Sequence, residues 1–358
     1  MLILLQGNDC QINYRIMSYY FRLPPITQLT LSQQAALNET EQIALSGGPG
    51  TGKSVVSLYR HLTNHENNKR SLLLTFTTTL ARYLSECCRL RNVDASRSVR
   101  TAKAGCPGRN ENFEEVIIDE AQDLDDEYFD KISRFNVSYG ADEAQILYPE
   151  HSSSKAELQS RFSKNVEYVL DKNFRSTLAI MNFARIAFPN AYIPRNTLDA
   201  LVSNPGEKPT LIVTDGNPFF NVNARNTRND AIKQIIEKFR ADTHNIAILV
   251  PFKNTVEQYH KILSDFDIAH SMYYYYEDED TFRNGCPPID NVHITTYKSA
   301  KGLEFDTVLV PDFGSMEYLC SRYEILNWKD FYVAVTRART NLYLFSDYPI
   351  SSLSDVVE

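Results

Sequence analysis

The chain has 358 residues, of which 43% are hydrophobic, and its net charge is −8. This size allows about two packed domains, and the acidic balance argues against a chain that coats nucleic acid through uniform positive charge. No apolar run approaches the roughly 20 residues that span a membrane, and residues 1–5 are too short for the core of a signal peptide. The six cysteines show no metal-ligand spacing, which is typical of reduced thiols in a cytoplasmic protein.

A phosphate-binding loop is the strongest local pattern. Residues 43–46 form an apolar run that predicts a strand, and residues 47–54 then match GxxxxGK[ST]. Apolar residues at helical spacing follow, so the glycine-rich turn lies between a strand and a helix N-terminus, where backbone N–H groups bind phosphate. Lys53 is expected to contact the β- and γ-phosphates, and the Ser54 hydroxyl to bind Mg²⁺. The residues expected to hold the nucleotide here are Gly47, Gly48, Gly50, Thr51, Gly52, Lys53 and Ser54.

A second apolar run ends in two carboxylates. Residues 116–118 predict a buried strand, and Asp119 and Glu120 follow directly. Beside a phosphate-binding loop, Asp119 would hold Mg²⁺ and Glu120 would orient or deprotonate the attacking water. The two motifs together predict an enzyme that binds and hydrolyses a nucleoside triphosphate.

Strand and helix patterns alternate along the rest of the chain. This alternation predicts an α/β fold with parallel sheets. A polar segment at residues 151–155 precedes the second round of structure, and we place the domain boundary near residue 165. The further predicted strands are residues 72–76, 136–139, 211–213, 246–250, 292–296, 307–310 and 342–345. The predicted units are an N-terminal arm or cap (1–28), a first domain (29–165) and a second domain (166–358).

Seven motifs lie between residues 29 and 346: Leu29–Leu37, Leu74–Thr77, Asp119–Gln122, Ala141–Tyr148, Leu170–Thr177, Thr296–Phe305 and Tyr332–Ala338. They stand in the order found in superfamily 1 helicases of the UvrD/Rep type, and the chain resembles that family. The resemblance implies two RecA-like parallel-sheet domains with the nucleotide site in the cleft between them. It also implies ATP and Mg²⁺ as ligands, and ATP hydrolysis coupled to binding and movement along single-stranded DNA.

The resemblance assigns catalytic side chains to both domains. Arg175 and Arg337 would come from the second domain and place positive charge on the phosphoryl oxygens. Gln145 would sense the γ-phosphate. Hydrolysis would therefore need closure of the two domains, and product release would need their opening.

The resemblance also implies contacts with the nucleoside and with nucleic acid. Gln33 would read the adenine edge, Phe174 would stack on the adenine, and Glu304 would accept a hydrogen bond from the ribose. The residues at the family's single-strand contacts are Phe76, Thr77, Tyr148, Thr296 and Lys298.

The chain departs from the family in ways that leave two functions open. Residues 82–115 are too few for an accessory domain, and predicted elements fill most of the interval before residue 296. Lys298 replaces the usual histidine, and residues 149–151 replace a tryptophan-containing segment. The chain is expected to be either a motor on single-stranded DNA or a nucleotide-dependent switch. Such a switch would gate a partner nuclease or repair protein without unwinding by itself.

Residues 82–109 carry seven Lys or Arg against two acids, a local charge of +5. We interpret them as a nucleic-acid surface that includes Arg97 and Arg100, because basic side chains release counterions on binding. A solvated helix face has the same composition, so both interpretations stay open. Residues 273–280, four tyrosines before four acids, predict a strand and a solvated loop, with a partner-docking edge as the alternative. Residues 1–28 are either a docking arm or a packed cap.

Overall fold

A computed structural model describes residues 19–21, 23–146, 152–173, 175–191, 193, 195–218, 220–273 and 289–358. Within these ranges the chain forms two six-stranded sheets, and every ladder described is parallel. The predicted contacts Phe174 and Tyr148 lie outside the described residues. So do residues 274–280 of the tyrosine-rich segment, and residues 1–18 and 22 of the N-terminal arm.

The two sheets follow one another along the chain. The strands of the first sheet are β1 (Ile43–Ser46), β2 (Ser71–Thr75), β3 (Val99–Thr101), β4 (Glu115–Ile118), β5 (Asn136–Ala141) and β6 (Val166–Val169), and they lie in the order β3-β2-β4-β5-β1-β6. The strands of the second sheet are β7 (Thr210–Val213), β8 (Ile246–Val250), β9 (Ser271–Tyr273), β10 (Val292–Thr296), β11 (Phe305–Val310) and β12 (Ala338–Ser346), and they lie in the order β7-β12-β11-β8-β10-β9.

Helices cover both sheets. Those before β6 are α1 (Leu31–Asn38), α2 (Lys53–Glu66), α3 (Thr78–Arg89), α4 (Val93–Arg97), α5 (Ala102–Gly105), α6 (Asp126–Ile132) and α7 (Lys155–Arg161). Those after β6 are α8 (Leu178–Ala187), α9 (Arg195–Asp199), α10 (Val222–Phe239), α11 (Lys253–Asp265), α12 (Met316–Arg322) and α13 (Trp328–Val335). Among the described residues, every helix is too short or too polar to cross a lipid bilayer.

The central strands are apolar runs that are covered on both faces. Every residue of β8 and β11 is buried, as expected for parallel strands between two helix layers. The predicted strands at 43–46, 246–250 and 292–296 coincide with β1, β8 and β10. The prediction of an α/β fold with two parallel sheets is confirmed.

The first sheet extends beyond the boundary predicted near residue 165. β6 pairs with β1, and Ile43 lies opposite Val166, so β6 does not open the second domain. Residues 152–154 of the polar segment lead directly into α7, which begins at Lys155. β6 is a short edge strand with alternating burial. No local sequence pattern identifies the strand with which it pairs. The unpredicted strand β3 has three residues, and β9 ends at Tyr273, where the predicted tyrosine-rich strand begins.

The two domains share an apolar contact. One buried cluster contains Leu80 and Tyr83 from α3 together with Tyr297 and Phe305 from the second domain. Gly302 faces this cluster with φ of 81°, and a Cβ there would lie 2.5 Å from Leu80 Cδ2. The close approach of the two domains at this point therefore requires glycine.

A buried ion pair fixes α2 against the first sheet. Arg60 Nε lies 2.7 Å from Glu115 Oε1, and its two terminal nitrogens donate to the carbonyls of Glu39 and Glu41 at 2.8 and 2.7 Å. The Glu115 carboxylate also accepts a hydrogen bond from Asn64. These contacts hold α2, whose N-terminus carries the phosphate-binding loop, in one position relative to β4.

Replacing Arg60 by alanine leaves Glu115 buried without its cation, so we expect the free energy of unfolding to fall by about 3–5 kcal/mol in a urea titration. The matched control is Arg89→Ala, which breaks an ion pair with Glu86 in which the arginine side chain is 58% exposed. That change should cost less than about 1 kcal/mol. Equal losses in the two variants would contradict the structural role of Arg60.

Candidate active site

Three neighbouring strands of the first sheet end at the same place. The order β4-β5-β1 brings together Asp119 after β4, Asp142 after β5 and the phosphate-binding loop after β1. Gly140 lies between them, and a Cβ there would lie 3.5 Å from Lys53 Cβ and 3.6 Å from Asp119 Oδ1. The carboxyl edge of a parallel sheet is where ligands of α/β proteins bind.

The loop leads into α2 through left-handed glycines. Gly52 is the N-cap of α2 with φ of 87°, and Gly50 has φ of 73°. A Cβ at Gly50 would lie 2.8 Å from both Asn173 Oδ1 and Arg175 Cβ, and Asn173 donates to the Pro49 carbonyl at 2.9 Å. The segment that carries Arg175 therefore packs directly on the loop.

Lys53 is held inside the loop. Its Nζ donates to the carbonyls of Gly47 at 2.7 Å and Gly48 at 3.0 Å, and it lies 3.5 Å from Asp142 Oδ2. The lysine is 6% exposed. A buried ammonium beside a helix N-terminus forms a site that favours an anion.

The carboxylate of Asp119 fits a divalent cation. The Ser54 hydroxyl favours its charged form, whereas its Oδ2 is buried and has no hydrogen-bond partner among the described residues. Burial and the charge of Glu120 raise the pKa of Asp119 to about 7. No group of three or more His, Cys, Asp or Glu side chains in the described part of the chain could hold a metal. One carboxylate and one hydroxyl suit Mg²⁺, which takes its other ligands from phosphate and water.

Glu120 is held ionised in a strained backbone conformation. Its φ of 63° is rare for a residue other than glycine. Its Oε2 accepts from Gln122 Nε2 at 2.5 Å and lies 3.4 Å from Lys301 Nζ. Burial alone would raise its pKa, but the charges of Lys301 and Lys53 lower the pKa of Glu120 to about 2. The side chain is therefore a carboxylate at neutral pH.

Both predicted arginines reach the cleft. The fully buried Arg337 donates from Nη2 to Gln145 Oε1 at 2.8 Å, and burial together with the charge of Arg175 lowers the pKa of Arg337 to about 9. Arg175 Nε lies 3.2 Å from Glu304 Oε2, while its Nη1 is buried and has no hydrogen-bond partner within the described ranges. Arg175 lines a cavity of about 500 Å³ together with Lys53, and both domains contribute to its wall.

Sequence reasoning assigned no role to Lys301, which also crosses the cleft. This buried lysine of the second domain donates to Asp123 Oδ2 at 2.6 Å and to the Gln145 carbonyl at 2.5 Å. Both Lys301 and Asp123 stand in or directly beside motifs that were recognised. Their opposite charges, in motifs expected to face one another, were the signal that could have identified the pair.

The predicted nucleoside contacts Gln33 and Glu304 line the cavity. Gln33 donates to the Thr51 carbonyl at 2.9 Å, and Glu304 is held between Arg175 and Arg339. Both side chains therefore already bind protein groups at the cavity wall. Their contacts with adenine and ribose stay predictions.

The described single-strand candidates follow strands at the carboxyl edges of the two sheets. Thr77 caps α3, and the hydroxyl of Thr296 is bonded within its own turn. Lys298 lies 3.2 Å from the fully buried Asp330, and Phe76 packs against the core of the first domain. Their nucleic-acid contacts stay predictions.

The basic segment 82–109 is partly neutralised within the protein. Arg100 pairs with Glu111 at 2.8 Å, a residue just beyond the segment, and the exposed Arg97 pairs with Asp94 at 3.0 Å. The segment also contains β3, so it is not a single helix face. Binding of nucleic acid by Arg97 and Arg100 stays a prediction.

Two family models match the chain, one in each half. A model described as an AAA domain matches residues 32–138, and a model described as the UvrD-like helicase C-terminal domain matches residues 276–347. The chain is thus similar to the UvrD-like helicases. In this UvrD-like chain the first match contains the phosphate-binding loop and Asp119, and the second contains Lys301 and Arg337.

Relatives of this UvrD-like chain are considerably longer. It is 29% identical over 247 residues to a putative ATP-dependent DNA helicase, R568, of Acanthamoeba polyphaga mimivirus, covering 64% of this chain and 34% of that protein. It is 28% identical over 211 residues to the RecBCD enzyme subunit RecB of Chlamydia pneumoniae, covering 58% of this chain and 17% of that protein. The aligned part is thus about a third or less of these relatives.

One solved structure shares the fold of the UvrD-like chain. S. cerevisiae Dbp5, bound to RNA and ADP BeF3, superposes with a TM-score of 0.52 at 12% identity, covering 92% of this chain and 87% of Dbp5. At this identity the likeness concerns the arrangement of the two domains and their sheets alone.

Replacing Lys301 by alanine leaves Asp123 buried without its cation, so we expect the free energy of unfolding to fall by about 3–5 kcal/mol at pH 8. Burial already raises the pKa of Asp123 to about 6, and loss of the lysine raises it further. Because protonated Asp123 needs no cation, the loss relative to the native chain should be smaller at pH 5.

Urea titrations at the two pH values measure this difference. The control Lys233→Ala alters a lysine whose side chain is 38% exposed, and it should cost less than about 1 kcal/mol at either pH. A loss for Lys301→Ala that is independent of pH would contradict the pairing with Asp123.

Proposed function

We propose that the protein hydrolyses ATP with Mg²⁺ and couples hydrolysis to binding of and movement along single-stranded DNA. The observation that carries the proposal is the meeting of phosphoryl-transfer groups from both sheets in one cleft. Lys53 and Glu120 come from the first domain, and Arg175 comes from the second. The mimivirus relative is named as a putative ATP-dependent DNA helicase, which agrees with this chemistry.

Some residues of the site bind ATP and Mg²⁺, and Glu120 activates the attacking water. The loop N–H groups and Lys53 bind the phosphates of ATP, and Ser54 with Asp119 would hold Mg²⁺. When bound, this ion neutralises charge on the phosphate oxygens. The ionised Glu120 accepts a hydrogen bond from water at its carboxylate and orients the water for attack on the γ-phosphorus as ADP leaves.

The arginines tie hydrolysis to domain closure. Arg175 offers Nη1, which has no hydrogen-bond partner in the part of the chain that the structure describes, to the negative charge of the phosphoryl group. Arg337 reaches Gln145 across the cleft. These contacts need the domains to be closed, and opening releases the products. Alternation between the two states moves a strand held at the carboxyl edges of both sheets.

We limit the proposal to movement on a single strand, and propose a minimal core without accessory domains. Within the described residues, the interval after α3 contains α4, β3 and α5 of the first domain. A partner protein is part of the proposal, because one relative is named as a subunit of the RecBCD enzyme. We propose a cytoplasmic location on the basis of the cysteine pattern.

The first test is the ATPase rate with single-stranded DNA, duplex DNA, RNA or no nucleic acid. We expect stimulation by single-stranded DNA, and Lys53→Ala is the inactive control. If no nucleic acid changes the ATPase rate, and Lys53→Ala abolishes it, the motor hypothesis is wrong. The protein would then be a switch that gates a partner protein.

Replacing Arg175 by alanine should lower kcat by about 10³-fold, the lower end of the effect of an arginine on phosphoryl transfer. The KM for ATP should change little, since the arginine acts on charge that develops during the reaction. Steady-state kinetics measure both values. Arg322→Ala, at an exposed arginine of α12, is the control, and an unchanged kcat for Arg175→Ala would exclude its catalytic role.

A further inference from the structure

An N-terminal segment outside the family matches lines part of the cavity. We call residues 19–24 the strap; Arg22 is outside the described residues. The matched family models begin at residue 32 and cover no part of it. The strap residues that line the cavity are Tyr20, Phe21, Leu23 and Pro24.

The first anchor of the strap is on the second domain. The Tyr19 N–H donates to the Ile289 carbonyl at 2.7 Å, and its hydroxyl donates to the Glu304 carbonyl. The buried Asn245 side chain binds Tyr20 twice: Oδ1 accepts from the Tyr20 N–H at 2.8 Å, and Nδ2 donates to the Tyr20 carbonyl at 2.9 Å. The backbone at this end therefore has one defined position.

The second anchor is on the first domain. The Tyr59 hydroxyl donates to the Pro24 carbonyl at 2.5 Å, and the ring centroid of Tyr83 lies 5.8 Å from that of Tyr19 and 5.5 Å from that of Phe21. The proline ring also fixes φ at this end of the strap. Phe21 is thus held between two anchors and lines the cavity.

The lining of the cavity combines polar and apolar groups. The phosphate-binding loop and Arg175 are among the polar groups, and the apolar groups include Phe21, Leu23, Leu29, Val55, Leu58 and Tyr83. Its volume of about 500 Å³ is within the usual range for ligand sites. A triphosphate would bind at the loop and Arg175, and the apolar groups then suit a nucleoside, whose base presents a flat face to an aromatic ring.

We propose that Phe21 contacts the nucleoside of the bound nucleotide and that the strap positions it there. The identity of the ligand rests on the proposed function. Because the anchors lie on both domains, the contact forms when the cleft is closed. This adds a nucleoside-binding side chain from the N-terminal arm, which sequence reasoning left as either a docking arm or a cap.

Calorimetric titrations with ADP and with inorganic tripolyphosphate test the proposal, because only ADP contains a nucleoside. Phe21→Ala should weaken ADP binding by about tenfold, the loss of one aromatic contact. It should leave tripolyphosphate binding within about twofold of the native value. Phe21→Tyr retains the ring and should restore ADP binding. The control Phe220→Ala, at a residue that is 91% exposed, should leave both affinities unchanged.

Two results would overturn the proposal. Equal losses for ADP and tripolyphosphate would mean that the strap only holds the domains together, and unchanged ADP affinity would mean that Phe21 does not touch the nucleoside. Neither measurement requires hydrolysis. Failure of the proposed function is seen separately, as a native chain that binds ADP but has no ATPase activity. In an active chain, Phe21→Ala should raise the KM for ATP and leave kcat unchanged.

Discussion

The buried contact of Lys301 with Asp123 and Glu120 is the interaction on which the rest of the site depends. Carboxylates at the end of β4 lie in a dry region, where an unpaired charge is strongly unfavourable. The compensating cation comes from the other domain. The charge of Lys301 is the largest of those that lower the pKa of Glu120, and Lys53 of the first domain adds to it. The second domain therefore helps to keep this carboxylate ionised.

The two sheets meet in opposite senses. The first sheet presents its carboxyl edge, where the phosphate-binding loop and Asp119 lie. The second presents its amino edge, since Glu304 directly precedes β11 and Arg337 directly precedes β12. The carboxyl edge of the first sheet carries the helix N-terminus and the candidate cation ligand Asp119. The amino edge of the second sheet carries the guanidinium group of Arg337. Each sheet therefore contributes a different half of the chemistry, and neither half is a site by itself.

The sequence was informative where a pattern is local. β1, β8 and β10 are apolar runs, and the phosphate-binding loop needs glycines at fixed spacing, so both could be predicted. β3 and β6 could not, because strands of three or four residues are defined by their neighbours in the sheet. Glu111, which pairs with Arg100, lies just beyond the basic segment 82–109. The bond from Tyr19 to Glu304 joins residues separated by 285 positions, and no local signal marks it.

The segment between β10 and β11 has a mechanical consequence. Residues 297–304 run from the carboxyl edge of the second sheet to its amino edge, with Lys298 bound to Asp330 near one end and Glu304 bound to Arg175 at the other. Lys301 and Gly302 contact the first domain between these points. Lys298, Lys301 and Glu304 are thus held at separate points of one short run. A ligand that displaced Lys298 would act on the same segment that carries the contacts with Asp123 and Arg175.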